Sequence, residues 1–240
     1  MPQVVKDIAL LIPAYNEQKY IAEVIKNCAR YDMDIIIVDD GSIDNTVKVI
    51  EGCEEIKTGQ VTLLKHTKNL GKGKSLLTGF NHIISRNYRG VITLDADGQH
   101  DVAEIHNFLE RIERDNPDII VGNRLGQTHN MPFIRLATNV FTSWLISLIA
   151  GRKIRDVQCG YRYINCRVLR KVKVETANFD TEPEILLKAS WLNFSITNIP
   201  IKTIYHQDFV SYVNPVTDTI KFFKLVFRSL KQKKKILSTR

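Results

Sequence analysis

The sequence predicts an α/β protein, a Rossmann-like and mostly parallel sheet flanked by helices, on three observations. Residues 7–121 alternate short apolar runs with longer stretches of helical periodicity. The apolar runs lack the in-out alternation of a half-exposed strand, so they belong to a sheet covered on both faces. Polar and glycine-rich segments follow the runs at their carboxyl ends, where open α/β sheets bind ligands.

The strands expected are Ile8–Ile12, Ile35–Val38, Val61–Leu64, Val91–Leu94 and Ile119–Val121, each rich in Ile, Val or Leu. Between them Glu17–Arg30, Asp44–Glu55, Lys74–Arg86 and Ala103–Arg114 place apolar residues at helical spacing. Beyond Gly122 the pattern changes. Residues 132–150 read as an apolar helix, 151–163 as a loop with a short extended piece, 180–192 as a helix and Ser195–Ile204 as extended chain. The last helix is expected over 216–235, where Val216, Ile220, Phe223, Phe227 and Leu230 form one stripe beside Lys221, Lys224, Arg228 and Lys231.

The net charge of +8 lies entirely in residues 221–240, which hold eight Lys and Arg and no Asp or Glu; the remainder is formally neutral. A basic tail on a neutral body points to an anionic surface. A nucleic-acid-binding protein working through that tail is the non-enzyme alternative, but it leaves the polar strand ends unexplained. Cys28, Cys53, Cys159 and Cys166 show neither C-x-x-C nor zinc spacing and read as reduced thiols. No basic-then-apolar leader opens the chain, and no charge-free apolar run reaches the ~20 residues of a spanning helix.

Four loops carry chemistry. Leu94-Asp95-Ala96-Asp97-Gly98-Gln99 closes the fourth strand with two carboxylates one residue apart and a side-chain carbonyl. Hard cations such as Mg2+ and Mn2+ take oxygen ligands, commonly one or two carboxylates plus substrate phosphates. Asp39 and Asp40 stand together at the end of the second strand, a costly pairing unless a ligand uses it; one is expected to accept from a base N–H and the other to meet ribose hydroxyls or metal-bound water. Gly41, Ser42 and Asp44 are adequately explained as turn and cap residues. Pro13-Ala14-Tyr15-Asn16-Glu17 ends the first strand, and Tyr15 suits the flat face of a nucleobase. Asn69-Leu70-Gly71-Lys72-Gly73-Lys74-Ser75 falls short of a Walker loop, because Lys68 stands where its first glycine belongs. Lys72 still opens a helix, a favourable place for a phosphate. Arg124, Arg135 and Arg162 are candidates for anionic oxygens, and Glu182 for a sugar hydroxyl or for base catalysis, with Asp156 in an assisting role; Asp180 reads as a helix N-cap.

These motifs together resemble the family-2 glycosyltransferases of GT-A fold, and most nearly those that act on polyprenyl or dolichyl phosphate. The resemblance rests on LIPAYNE at 11–17, VDDGSIDNT at 38–46, NLGKG at 69–73, LDADGQH at 94–100, GNR at 122–124, DVQCGYR at 156–162 and FDTE at 179–182. It implies an inverting hexose transfer from a nucleotide diphosphosugar, UDP-glucose or GDP-mannose, to a polyprenyl phosphate. Pro13, Tyr15, Glu17, Asp39, Asp40, Lys72 and Asp95 would meet the nucleotide, Asp95, Asp97 and Gln99 would hold Mg2+ or Mn2+, and Asp97, Arg124, Arg135, Arg162 and Glu182 would serve catalysis. A glycan hydroxyl is the alternative acceptor. The implied organisation is a GT-A domain over 1–210 (nucleotide-sugar half 1–124, acceptor half 125–210) and a basic amphipathic tail over 211–240. The expected location is peripheral, on the cytoplasmic face of a membrane.

Overall fold

The computed structural model describes residues 5–124, 133–176, 180–204, 226–231 and 233, the side chains of 133–135 excepted. One seven-stranded sheet runs through the protein in the order β3-β2-β1-β4-β6-β5-β7. Its strands are β1 (Ile8–Ala14), β2 (Ile35–Asp39), β3 (Val61–Lys65), β4 (Gly90–Thr93), β5 (Ile119–Asn123), β6 (Arg162–Asn165) and β7 (Ile196–Pro200). All pairings are parallel except those of β6, which lies antiparallel between β4 and β5. The helices are α1 (Ile21–Ala29), α2 (Thr46–Glu51), α3 (Glu54–Lys57), α4 (Lys72–Ser85), α5 (Ile105–Asp115), α6 (Phe133–Ala150), α7 (Cys166–Lys171) and α8 (Thr181–Trp191).

The apolar runs become the central strands because helices cover both faces of the sheet. Ile8–Ile12, Ile35–Val38 and Ile119–Val121 are all buried. The helix α5 shows the complementary pattern: Ile105, Phe108, Leu109 and Ile112 face the core, and Asn116 ends the helix in the left-handed conformation at φ 45°. Close contact between α4 and the sheet depends on Gly79, where a Cβ would lie 2.2 Å from Leu11 Cδ1. The four cysteines are free thiols.

Three expectations need correction. The helical pattern of 44–55 splits into α2 and α3, because Cys53 turns extended at ψ 144° after Gly52. The helix expected from Glu17 begins at Ile21, since Asn16 adopts φ 56° and the next amides are engaged by another loop. The extended piece in 151–163 is a full strand only from Arg162, and it leads into α7, which sequence periodicity left unassigned. The signal for β6 is a packing one: its Tyr163 ring fills the space at Gly90, where a Cβ would lie 2.4 Å from the ring. Of the expected last helix, Val226–Lys231 and Lys233 are helical and the rest lies outside the described residues.

Candidate active site

The carboxyl ends of β1, β2, β3 and β4 bring the four polar loops to one crevice, and the first two are laced together. The Asn16 amide donates to Ser42 Oγ (2.9 Å), and Asn16 Oδ1 accepts from the Ile43 amide (2.9 Å). The Glu17 amide donates to Thr46 Oγ1 (2.7 Å). The Gln18 amide reaches Asp44 Oδ2, while Gln18 Oε1 accepts from the Asn45 amide (2.9 Å). Asp44 also accepts from the Thr46 amide and hydroxyl, so it is the local turn residue its sequence context suggested. Tyr15 and Pro13 are half-buried beside this lacing.

Asp39 and Asp40 are both buried, and they divide their work. Asp40 Oδ1 pairs with His66 Nδ1 (2.7 Å) and accepts from the Leu70 amide (3.0 Å), while Oδ2 accepts from the Gly71 amide (2.8 Å). Asp40 is therefore committed to holding the third loop, whereas the sequence places both acids on the nucleotide. Asp39 Oδ2 accepts from the Gly41 and Ser42 amides (3.1 Å each), but its Oδ1 is buried with no protein partner. A buried carboxylate oxygen left without a donor is costly, and a nucleobase N–H would satisfy it. Gly41, at φ 72°, lets the two loops touch: a Cβ there would lie 2.4 Å from the carbonyl carbon of Lys68.

The fourth loop concentrates negative charge. Burial and the carboxylates of Asp97, Asp95 and Asp44 push the Glu17 carboxyl up to about 8. Asp97 Oδ1 accepts from the Gln99 amide (2.9 Å), closing the turn at Gly98, and the Gln99 side chain is buried with Nε2 unpartnered. Asp95 faces a different neighbour, Lys72, whose Nζ lies 2.6 Å from Asp95 Oδ1 and 3.6 Å from Glu182 Oε2. Burial opposes ionisation of Asp95, yet Lys72, His100 and Arg124 together hold its carboxyl well below the usual range. Lys72 thus bridges the two halves of the site. Gly160 keeps the space open, since a Cβ there would come within 2.8 Å of Asp95 Oδ2 and 2.9 Å of Lys72 Nζ.

The residues present fit a divalent cation. A half-buried group of carboxyls that raises Glu17 this far is what a cation relieves. Among the described residues no three His, Cys, Asp or Glu side chains make a ready cage. A metal held there would take one or two carboxylates and diphosphate oxygens.

The arginines differ. Arg124 is buried in a two-pronged contact with Asp156, Nε to Oδ2 at 2.8 Å and NH2 to Oδ1 at 3.0 Å, and its amide also donates to Oδ2. Burial would raise the Asp156 carboxyl, but Arg124 holds it lowered. Arg162, 1% exposed, donates to the carbonyls of Cys159 (2.6 Å), Glu182 (3.0 Å) and Val157 (2.6 Å). Its guanidinium is spent on main chain, so it positions the 157–162 loop against α8, contrary to its expected contact with phosphate. The Arg135 side chain lies outside the described residues. Glu182 is buried with Oε1 unpartnered; Asp180 stands at the N-cap of α8 without a side-chain cap bond.

Sequence reasoning missed His100 and His66. His100 Nδ1 accepts from the Asp95 amide (3.0 Å), and its ring packs on Tyr161, with centroids 4.9 Å apart. Burial lowers it to about 4, against the pull of Asp95. It is neutral at physiological pH and fixes the backbone of the acidic turn. Its only sequence signal is adjacency to Gln99. His66 links Asp40 to Thr78 Oγ1 (2.9 Å) and follows no motif.

Comparison with known proteins agrees with this geometry. A sequence profile named Glycosyl transferase family 2 matches residues 9–176. The chain is 32% identical over 219 residues to the UDP-N-acetylglucosamine–dolichyl-phosphate N-acetylglucosaminyltransferase of Methanococcus voltae, covering 84% of this chain and 87% of the relative. It is 26% identical over 200 residues to the polyprenol monophosphomannose synthase of Mycolicibacterium smegmatis, covering 80% and 75%. Among solved structures, mannosyl-3-phosphoglycerate synthase from Rubrobacter xylanophilus superposes with TM-score 0.69 at 14% identity, covering 98% of this chain and 76% of that one. Glucosyl-3-phosphoglycerate synthase from Mycobacterium tuberculosis, solved with Mn2+ and UDP, gives 0.67 at 14% identity, covering 94% and 79%. The fold is the GT-A fold that the motifs led us to expect, and the chain belongs to glycosyl transferase family 2.

Proposed function

We propose that this glycosyltransferase moves a hexose from a nucleotide diphosphosugar to a polyprenyl phosphate, inverting the anomeric carbon, with Mg2+ or Mn2+ and at the cytoplasmic face of a membrane. The observation that carries the reading is the pairing, in one crevice, of the partnerless Asp39 Oδ1 with the carboxyl cluster around Glu17 and Asp97. The first is an acceptor for a base N–H, and the second is a seat for a cation and the diphosphate it would neutralise. Relatives named for dolichyl and polyprenyl phosphate support the acceptor class.

Asp39 would orient the base, which the Asp40–Gly71 contact keeps in register with the phosphates. Asp97 and Gln99, with Asp95 across the turn, would hold the metal, which when bound stabilises charge on the leaving nucleoside diphosphate. The acceptor phosphate is anionic at neutral pH, so its oxygen attacks without a protein base. Arg124, fixed by Asp156, and Arg135 at the start of α6 would orient it for in-line attack, leaving catalysis to orientation and electrostatics. Glu182 would accept a hydroxyl of the hexose. Its partnerless Oε1 also favours the second reading, a glycan hydroxyl acceptor with Glu182 as base. Among the described residues no helix is long and apolar enough to cross a membrane.

The test incubates the purified chain, Mn2+ or Mg2+ and dolichyl or undecaprenyl phosphate with labelled UDP-glucose, UDP-N-acetylglucosamine or GDP-mannose in turn. Label from one donor in an organic-extractable, acid-labile product is expected. No label from any donor, with Mn2+-dependent nucleotide binding intact, would overturn the lipid acceptor. Loss of all transfer to a glycan acceptor in Glu182→Gln would favour the second reading.

A further inference from the structure

The helix α6 mixes polar and apolar residues on its buried face, where Ile146 and Ala150 join the core, and carries large apolar residues on its outer face. Its buried positions include Asn139, Thr142 and Ser143, whereas Val140 (49% exposed), Phe141 (48%), Trp144 (59%) and Leu148 (65%) face outward. With Ala137, the residues Phe141, Trp144 and Leu148 follow spacings of four, three and four, one continuous stripe, and the Phe141 and Trp144 rings lie 6.2 Å apart. The inward hydroxyls have an evident purpose. Ser143 Oγ accepts from the Val157 amide (3.0 Å), and Ser147 Oγ bonds both the amide and the carbonyl of Ile154. They hold the loop that carries Asp156, and through it Arg124. Folding gives the outward stripe no such use, and an apolar patch of this kind marks an interaction site.

We infer that this outer face of α6 is a docking surface for an anionic lipid bilayer, which sets the Arg124 wall of the crevice at headgroup level. Charge selects the occupant. No Asp or Glu occurs between Asp118 and Asp156, and the helix is followed at once by Arg152, Lys153 and Arg155. The basic C-terminal helix reaches the same end of α6: Lys233 Nζ lies 5.5 Å from the Trp191 ring centroid, and Trp191 Nε1 donates to the Ile149 carbonyl (3.2 Å). In that helix Val226 and Ser229 pack inward while Phe227 and Leu230 are exposed, adding apolar contact beside Lys231. A second copy of the chain would bring these cations against each other, whereas an anionic leaflet attracts them. With 18 residues and an inward face fixed to the domain, α6 lies in the interface plane.

This deepens the lipid-acceptor reading, but vesicle binding needs no sugar donor and tests the surface by itself. The full chain would be mixed with phosphatidylglycerol-containing or pure phosphatidylcholine vesicles and followed by co-sedimentation and tryptophan emission. Trp191 is buried, so a blue shift reports Trp144. We expect binding and a blue shift with anionic vesicles, weakened by salt, and loss of the shift in Trp144→Phe. The double variant Phe141→Glu/Leu148→Glu should partition at least about tenfold less, since burying even one large apolar side chain is worth that factor. It should keep Mn2+-dependent nucleotide binding and transfer to a short, water-soluble prenyl phosphate. Wild-type binding to neither vesicle, or equal binding by the double variant, would overturn the inference. Dimers abolished by the double variant, without vesicle binding, would make a second copy the occupant. Vesicle binding without transfer to any prenyl phosphate would refute the acceptor and leave the surface standing.

Discussion

Replacing Glu17 by glutamine should stabilise the metal-free protein at alkaline pH and do so far less near pH 5. Burial and the carboxylates of Asp97, Asp95 and Asp44 move the Glu17 carboxyl from 4.5 to about 8. The unfolded chain releases this proton near 4.5 and the folded chain near 8. Between those values the folded state binds more protons, so stability falls as pH rises through the window and stays lower above it. Taken whole, the displacement would be worth about 5 kcal/mol at 1.36 kcal/mol per pH unit. Glu17 is only half-buried and water screens it, so about 2 kcal/mol is the expected size. For a chain of this length that corresponds to about 4–8 °C in melting temperature. The assay is urea unfolding in EDTA from about pH 5 to pH 9 for wild type and Glu17→Gln. The glutamine amide keeps the main-chain bond to Thr46 Oγ1, so the comparison isolates the charge. Added Mn2+ should stabilise wild type more than the variant above pH 8, because the cation relieves a repulsion that only wild type carries. Parallel pH curves for the two proteins would refute the crowding of carboxyls at this site, and with it the electrostatic case for a metal there.

Three further outcomes follow from the same geometry. Asp97→Ala should lower sugar transfer about a thousandfold or more, as the proposed metal seat requires, and should cost only about 1 kcal/mol of stability with the lost Gln99 amide bond; full activity would sink the metal assignment. Gly41→Ala should cost roughly 2–4 kcal/mol in urea unfolding, since it combines a left-handed backbone with a Cβ 2.4 Å from the Lys68 carbonyl carbon; an unchanged midpoint would contradict the loop contact. Asp156→Asn should destabilise by about 3–5 kcal/mol because it leaves the buried Arg124 charge uncompensated; a change below about 1 kcal/mol would mean that Arg124 is not fixed as described.

The fold was legible wherever a strand is buried on both faces, because the apolar run then reports burial directly. Ile35–Val38 and Ile119–Val121 illustrate this. The antiparallel insertion of β6 was not legible, since Arg162-Tyr163-Ile164-Asn165 offers only two apolar residues between polar ends and its partner Gly90 lies far away in sequence. Among site residues, pairs of acids and glycine loops were visible as types, but their partners were not. That Asp40 holds the Leu70 and Gly71 amides, or that Arg162 serves carbonyls, depends on loops meeting across the sheet. Local periodicity carries no record of such contacts. His100 shows the same limit, a neutral imidazole buried against Tyr161 some sixty residues on.

The two acid pairs solve one electrostatic problem in opposite order. Adjacent carboxylates at a buried strand end repel, and the fold relieves each pair by giving one member a fixed protein partner. In the first pair that member is Asp40, tied to His66 and to the amides of the third loop, which keeps the Asp39 Oδ1 acceptor buried and exposed to no protein donor. In the second it is Asp95, held by Lys72 and placed by His100, while the charge of Asp97 falls on Glu17. The partners are not interchangeable. Asp40 is held by His66 and by backbone amides, whereas Asp95 is paired with a side chain that also lies 3.6 Å from Glu182 across the crevice. Any ligand cation that competes with Lys72 for Asp95 therefore also loosens Lys72 toward Glu182. A cation bound at Asp95 would in this way be coupled, through one ammonium group, to the Glu182 carboxylate.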